Sequence, residues 1–201
     1  MHKALSEGAI ALGVVLSATQ AEKLTAYMGL VVKWNQRFNL VSRRDIGRLL
    51  ERHVLDSFGA WRYLRGARLL DVGSGAGLPG IPLAVSKPQM EFILCDRTAR
   101  RCRFLKHVVQ RLEIQNVEVV QADVAALSDG GFDTITARAV ASTEVMWQSA
   151  QSKLALNGCM LIFESTDDTE RKIELDARVQ RVAYQVPGLE EKHTMVTVER
   201  L

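Results

Sequence analysis

Cysteine is scarce in this chain, and its three residues are scattered. Cys95, Cys102 and Cys159 form no C-x-x-C pair. An odd, dispersed set argues against a disulfide framework and against a zinc site. Cys95 and Cys159 fall within apolar strand patterns, so we expect them to be core residues. Free cysteines are typical of a reducing compartment, and we therefore expect a cytoplasmic protein with no bound metal.

The chain also lacks a long apolar run and a large charge of one sign. No stretch of about 18 apolar residues exists, so we expect no membrane span. The N-terminal stretch MHKALSEGAIALGVVLSATQ is interrupted by polar residues and glycine; we favour an amphipathic helix over a weak signal peptide. The net charge of +3 indicates a nucleic-acid partner only weakly. With 201 residues, 47% of them hydrophobic, the chain has material for one domain and a sizeable core.

The order of the apolar patterns predicts an α/β fold. Residues 1–65 are helical in pattern, with apolar side chains at helical spacing over 21–38 and 49–64. Strands are expected at 68–72, 91–95, 117–121, 134–137, 159–164, 181–185 and 195–200, and helices at 82–86, 98–112, 142–154 and 169–180. This alternation predicts a mostly parallel, twisted, Rossmann-like sheet with helices on both faces. We expect an N-terminal helical module, 1–65, packed on a main domain, 66–201, as one compact unit.

The most informative stretch is LLDVGSGAGLPGIPLA, residues 69–84. An apolar strand pattern ends at Asp71, a glycine-rich turn follows, and Pro82 begins a helical pattern. Glycine permits positive φ and close approach of a ligand, and the N–H groups before a helix attract negative charge. The stretch satisfies the dinucleotide pattern G-x-G-x-x-G and also the D-x-G-x-G-x-G pattern of S-adenosylmethionine methyltransferases. A glycine turn that merely reverses the chain is the remaining alternative.

A second acidic residue follows the next predicted strand. Asp96 lies 21 residues beyond Gly75, where a carboxylate accepts hydrogen bonds from a ribose diol in either cofactor class. Ligands of doubly wound sheets bind outside the carboxyl ends of the strands, where the strand order reverses. We therefore expect one rim to hold the residues that follow strands one to four, namely Gly73, Asp96, Asp123 and Arg138.

Short motifs around the glycine turn distinguish between the cofactors. In order they are KWN at 33–35, NL at 39–40, RHVLDS at 52–57, GLPGIPLA at 77–84, ARAVAS at 137–142, and His193 before the last strand. Together they resemble the glucose-inhibited division protein B (RsmG) family, over nearly the whole chain. Members of that family methylate guanine N7 in 16S ribosomal RNA. The resemblance implies S-adenosyl-L-methionine as cofactor, 16S rRNA as partner (naked or in the small ribosomal subunit), and a class I methyltransferase fold whose last strand inserts antiparallel.

The resemblance implies a set of cofactor-binding residues. The loop from Gly73 to Leu78 suits the methionine end, with its N–H groups facing the carboxylate. Asp71 suits the amino group or caps the turn. Asp123 contacts the adenine amine or caps a helix. The full set is Asp71, Gly73, Ser74, Gly75, Gly77, Leu78, Asp96, Asp123, Arg138 and, through the backbone at the adenine edge, Val124 and Ala125.

Arg138 is the one candidate catalytic residue, and its expected role is positioning. An arginine at a pocket rim can stack on a base or bond a carboxylate or phosphate, with a surface ion pair as the alternative. Guanine N7 carries a lone pair and no proton, and a sulfonium is an activated methyl donor. The reaction therefore depends mainly on proximity and orientation, and we expect no general base.

Two basic clusters flank the glycine loop in the sequence, which favours a phosphate-binding role over a solvated surface only when they are taken together. Asn39 and the pair Arg52-His53 are expected to face the cleft, although His53 and Asp56 have the equal alternative of packing the helical module onto the sheet. The clusters are Lys33, Arg37, Arg43, Arg44, Arg48 and Arg52, then Arg97, Arg100, Arg101, Arg103, Lys106 and Arg111. The predicted RNA-binding residues are Arg43, Arg44, Arg52, His53, Arg97, Arg100, Arg101, Lys192 and His193.

One departure from the family pattern follows the fifth strand. Glu164-Ser165, followed by TDD, stand where many relatives have Lys-Gly, so an acid replaces a cation at the rim. Three other functions stay open: a methyltransferase acting on a protein or small molecule, a non-catalytic RNA-binding or ribosome assembly protein, and, least favoured, a nicotinamide oxidoreductase. We expect the protein to be a monomer.

Overall fold

The computed structural model describes residues 1–164 and 172–201. An N-terminal helical segment precedes the first strand, as the apolar spacing predicts. It contains helix α1 (His2–Ala11), helix α2 (Ala18–Asn35), a 3-10 turn (Arg43–Arg48), a π-helical turn (Leu50–Leu55) and a further 3-10 turn (Phe58–Tyr63). The remainder comprises β1 (Arg68–Val72), α3 (Gly80–Ser86), β2 (Glu91–Asp96), α4 (Ala99–Arg111), β3 (Val117–Gln121), β4 (Phe132–Arg138), α5 (Thr143–Ala150), β5 (Leu154–Phe163), β6 (Arg178–Gln185) and β7 (Lys192–Glu199).

The seven strands form one sheet in the order β3-β2-β1-β4-β5-β7-β6. Strands β1 to β5 pair in parallel, and β7 inserts antiparallel between β5 and β6. The strand order reverses between β1 and β4, so the loops that follow these two strands open a crevice at the carboxyl edge. The predicted Rossmann-like methyltransferase fold, with its antiparallel last strand, is confirmed.

Two predicted helices differ from the structure. The helix expected at 142–154 ends at Ala150, because β5 begins at Leu154. The helix expected at 169–180 is wrong over its described part: residues 172–177 are irregular, and Arg178 begins β6. Exposed and half-buried positions nearly alternate along β6, which is an edge strand of the sheet. Its charged residues have a spacing that is also typical of the polar face of a helix, which explains the wrong prediction. Residues 165–171, including Ser165 of the departure noted above, lie outside the described residues.

The alternation of side chains along β1 separates two apolar cores. Leu69 belongs to a cluster shared with α2, α3 and α4, whereas Leu70 belongs to a cluster with α5 on the other face. The first cluster also contains Leu5 of α1 and Leu24 of α2, so the N-terminal helices share a core with the sheet. No helix of residues 1–164 and 172–201 has the length and apolarity to cross a membrane.

Helix α2 is joined to the glycine loop by a buried hydrogen bond. The Tyr27 hydroxyl donates to the Ala76 carbonyl at 2.8 Å. The same helix begins with a capping box between Ser17 and Gln20, and the Gln20 amide also donates to the Val85 carbonyl at the end of α3 at 3.0 Å. These bonds fix α2 against the glycine loop and against the end of α3.

Candidate active site

The carboxyl ends of the first four strands lie along one rim, as the sequence predicts. Two adjoining cavities open there. A cavity of about 290 Å³ is lined by Asp96 and Asp123, and one of about 570 Å³ by Arg138 and Ser74. Gly73, Arg101 and Ala139 line both. The predicted juxtaposition of Gly73, Asp96, Asp123 and Arg138 is therefore confirmed.

The glycines of the loop have different surroundings. Gly73, Gly75 and Gly77 have φ values of +66°, +57° and +90°, in the region that favours glycine. A Cβ built on Gly77 would meet the Ile81 side chain at 2.5 Å, so Gly77 is needed for packing. A Cβ on Gly75 would meet only the Gly73 carbonyl, at 3.7 Å, and would otherwise project into open space. Among these three, Gly75 is the glycine with room for a ligand against its backbone.

The N–H groups of the loop do not all face the crevice. The N–H groups of Gly73 and Ser74 donate to the Cys95 carbonyl, and those of Gly77 and Leu78 donate to the Ser74 carbonyl. The expectation that these groups face a ligand carboxylate is therefore wrong for these four residues. Gly77 and Leu78 are also buried. Two of these N–H groups bond the carboxyl end of β2, and the other two bond within the turn itself. They are therefore already used by the protein.

Asp71 supports the loop from below. Its side chain is almost fully buried, and its two carboxylate oxygens accept from the Gly80 N–H at 3.2 Å and the Thr136 hydroxyl at 2.9 Å. Burial raises the pKa of Asp71 to about 6, although the bonds from Thr136 and Ser74 oppose the rise. Of its two predicted roles, capping the turn is the one that these contacts show.

Asp96 connects the loop to the start of α4. Its carboxylate accepts from the Gly75 N–H at 3.0 Å and from the Thr98 N–H at 2.8 Å. Arg101 approaches the same carboxylate at 3.3 Å and lines both cavities. Arg101, predicted to bind RNA, thus lies beside the predicted cofactor site. The Asp96 carboxylate keeps lone pairs for a ribose diol in the smaller cavity.

Asp123 caps the helical turn that follows β3. Its carboxylate accepts from the Ala125 N–H at 3.0 Å, and Arg97 lies 3.6 Å away. The prediction that the Ala125 backbone holds an adenine edge is therefore corrected for its N–H, because the cap uses that group. Val124 and Asp123 line the smaller cavity, whereas Ala125 is exposed outside it.

Arg138 is held in a polar network at the wall of the larger cavity. Its guanidinium donates to the Asp56 carboxylate at 3.0 Å, and its other terminal nitrogen lies 3.0 Å from His53 Nδ1. Asp56 also accepts from the Tyr184 hydroxyl at 2.6 Å and lies 2.8 Å from His193 Nδ1. Burial alone would raise the pKa of Asp56, but the bonds from His193, Arg138 and Tyr184 hold it below its usual value.

This network resolves the two alternatives for His53 and Asp56. Both line the larger cavity, and both join the N-terminal helical segment to the sheet through Arg138. His193, predicted as an RNA contact, bonds Asp56 within the same cavity wall. Sequence reasoning did not include Asp56 or Tyr184 among the site residues. The RHVLDS motif signalled Asp56, whereas Tyr184 on an edge strand had no local signal.

The predicted RNA-binding arginines have different environments. Arg43 and Arg44 are exposed, and Arg43 lines a shallow depression with Asn39 beside the larger cavity. Arg52 lies 3.5 Å from Asp45, and its other terminal nitrogen lies 3.8 Å from Glu191. Arg100 stacks over the Phe38 ring, 5.2 Å from its centroid. The predicted lysine, Lys192, is exposed at the start of β7.

The acid that replaces the family's cation is neutralised locally. The Glu164 carboxylate accepts from the Arg181 guanidinium at 3.0 and 3.4 Å, and its side chain is mostly buried. The pair joins the end of β5 to β6, and Glu164 lines the larger cavity. The rim therefore carries a paired carboxylate rather than an uncompensated negative charge.

The described residues show the state of the three cysteines and of the metal-ligating side chains. All three cysteines are buried and unpaired, and burial raises the pKa of the Cys95 thiol to about 11. Residues 1–164 and 172–201 contain no cluster of three or more metal-ligating side chains. Cys95 and Cys159 belong to the two apolar cores, as predicted.

Comparison with known proteins adds an independent finding. The GidB family model, described as rRNA small subunit methyltransferase G, matches residues 20–197. Ribosomal RNA small subunit methyltransferase G of Coxiella burnetii (strain CbuG_Q212) is 35% identical over 200 residues, covering 99% of this chain and 98% of that protein. The protein of the same name from Klebsiella pneumoniae (strain 342) is 38% identical over 191 residues, covering 93% and 92%. A SAM dependent methyltransferase from Aquifex aeolicus shares the fold, with a TM-score of 0.57, 16% identity, and coverage of 76% of this chain and 93% of that one.

Proposed function

The chain belongs to the GidB family, rRNA small subunit methyltransferase G, and from that membership we propose that it transfers a methyl group from S-adenosyl-L-methionine to N7 of a guanine in 16S ribosomal RNA. The observation that carries this proposal is the pair of adjoining cavities at the carboxyl edge, one beside Asp96 and one beside Arg138. One cavity suits a nucleoside, and the other has room for the methionine end and a substrate base.

The residues at the smaller cavity fit the cofactor. A ligand can lie against Gly75 because a Cβ there would project into open space. We assign Asp96 to the ribose hydroxyls, with Arg101 beside it, and Val124 to the adenine face. The methionine end is assigned to the partly exposed backbone of Gly75, rather than to the N–H groups used within the loop. The bound cofactor supplies an activated methyl group on a positively charged sulfur.

The protein's contribution to the reaction is orientation. Guanine N7 carries a lone pair at neutral pH, so no side chain has to remove a proton from it first. The network around Arg138 fits this requirement, because it holds a cation at the wall of the larger cavity. Burial and the charge of Arg138 lower the pKa of His53 to about 4, so this imidazole is a neutral partner of the arginine.

The RNA is proposed to approach over the exposed arginines of the helical segment, Arg43 and Arg44, of which Arg43 lines the depression beside the larger cavity. Phosphates attract such side chains, and binding would weaken as salt rises. We further propose that the protein acts as a monomer in the cytoplasm, on 16S rRNA that is either naked or in the small subunit.

Mass spectrometry of the product tests the function. The protein is incubated with S-adenosyl-L-methionine and either naked 16S rRNA or small subunits from a strain that lacks the enzyme, and the digested RNA is analysed for 7-methylguanosine. One new 7-methylguanosine is expected in 16S rRNA, and Arg138→Ala should lower its rate of formation more than tenfold. Methyl groups at another atom, in another RNA, or on a protein would overturn the proposal.

A further inference from the structure

Asp56 is the centre of the network that holds Arg138. Its side chain is 8% exposed and comes from the end of the helical turns, whereas its partners come from three strands of the sheet. One carboxylate oxygen accepts from Arg138, and the other is shared by Tyr184 and His193. A buried carboxylate with three donors has a single favourable orientation, so it can fix the position of each donor.

His53 holds the other side of the same guanidinium. An arginine has only donors, so His53 Nδ1 must accept, and its ring proton must lie on Nε2. Nε2 is buried and has no hydrogen-bond partner among the described residues; the nearest acid, Asp45, is 3.8 Å away. Residues 53 and 56 lie one helical turn apart, so the same turn contacts both terminal nitrogens of Arg138.

The held guanidinium is not fully enclosed. The Arg138 side chain keeps 15% exposure, and it lines the larger cavity with Ser74 and Gly75 of the glycine loop. Both of its terminal nitrogens are engaged, one by Asp56 and one by His53, which leaves their second N–H groups, the Nε–H and the guanidinium face for a ligand. A free arginine would instead sample many rotamers and lose that geometry.

We propose that Asp56, together with His53, is a positioning residue for methyl transfer that acts by fixing the Arg138 guanidinium at the cavity wall. The inference rests on the proposed function, because it assigns Arg138 to the reacting partners. It predicts that disturbing Asp56 slows the chemical step while leaving the cofactor and RNA sites largely intact.

The test is the single-turnover methyl-transfer rate of Asp56→Asn, which keeps the side-chain volume and removes the charge. The rate should fall at least tenfold, while the dissociation constants for S-adenosylhomocysteine and 16S rRNA change less than threefold. The matched control is Asp133→Asn, which alters a carboxylate that accepts two backbone N–H bonds at the opposite edge of the sheet; its rate should stay within twofold of wild type. If Asp56→Asn does not fold, Tyr184→Phe replaces it, with an expected loss of at least threefold.

A double variant separates positioning from a general structural effect. In an Arg138→Ala background, Asp56→Asn should change the remaining rate less than twofold, because the group it positions is gone. An equal loss in both backgrounds, or a wild-type rate in Asp56→Asn, would overturn the inference and leave the proposed function standing.

Nitrogen-15 NMR of the histidines gives a readout that does not depend on activity. The chain has four histidines, which makes assignment tractable. His53 should show one tautomer, with the proton on Nε2, in the wild type, and a mixture of tautomers in Asp56→Asn. A single unchanged tautomer in the variant would refute the positioning role. If the wild type makes no methylated 16S rRNA, the proposed function fails, whereas the NMR result still reports on the network.

Discussion

The sharpest prediction concerns Gly75, whose backbone is the part of the loop with open space beside it. Gly75→Ala adds one methyl group at φ +57°, with no contact closer than 3.7 Å. The left-handed conformation costs a non-glycine residue about 1–2 kcal/mol. For a chain of this length, that loss corresponds to a fall in Tm of about 2–8 °C. The variant should therefore fold, but its methyl group would occupy space assigned to the cofactor.

Gly131→Ala is the matched control. Gly131 has φ +74°, and a Cβ there would meet only Arg68 Nη1, at 4.0 Å, so the strain is similar. It precedes β4 at the edge opposite the cavities. Both variants should lose similar stability, and only Gly75→Ala should lose affinity for S-adenosylhomocysteine, by at least tenfold.

Thermal unfolding with and without S-adenosylhomocysteine measures both effects. At 100 times its Kd, the ligand should stabilise the wild type and Gly131→Ala by about 2.7 kcal/mol. A tenfold loss of affinity would reduce this to about 1.4 kcal/mol in Gly75→Ala, and calorimetry gives the affinity directly. A full ligand-induced stabilisation in Gly75→Ala would refute the assignment of the cofactor to this loop.

Three further predictions concern charge and pH. Replacing Arg43 and Arg44 by Glu should weaken 16S rRNA binding and reduce the steepness of the plot of log K against log salt concentration by about 1.5. S-adenosylhomocysteine binding should not change. An unaltered slope would mean that neither arginine contacts a phosphate. Asp71→Asn should gain stability relative to wild type as pH rises from about 4 to 6, because with a folded-state pKa of about 6 against an ordinary 3.8 the wild-type carboxyl is ionised over this interval in the unfolded chain but still protonated in the fold. The gain between pH 4 and pH 8 should be about 2.4 kcal/mol in urea unfolding, and equal differences at both pH values would contradict it. The single-turnover methyl-transfer rate should vary less than twofold from about pH 6.5 to 8.5, since no general base is expected; a tenfold rise per pH unit would show that one exists.

Local patterns in the chain are enough to predict the strand, turn and helix around the glycine loop, and the order of residues along the rim. Hydrophobic period, glycine and proline are local signals, and they report local backbone geometry. Parallel strands bring their carboxyl ends together, so the sequence predicts Gly73, Asp96 and Arg138 on one edge of the sheet. The family resemblance added the cofactor and the substrate class, which spacing alone left open.

Other features depended on partners that are distant in the chain. The bond between Asp56 and Arg138 spans 82 residues, and that between Asp56 and His193 spans 137. The sequence pattern of residues 178–180 is that of a helix. In the structure they form the start of β6, because they pair with β7. Likewise, Glu164 at the end of β5 reaches Arg181 of β6 because β7 pairs with both strands.

The same reason explains why the fine chemistry of the loop was mispredicted. Local spacing indicates that N–H groups exist near a helix start, but not which carbonyl lies beside them. The carbonyl of Cys95 takes the N–H groups of Gly73 and Ser74, and the Asp123 cap takes that of Ala125. Hydrogen bonds are short-range and directional, so only the tertiary structure decides which groups stay free for a ligand.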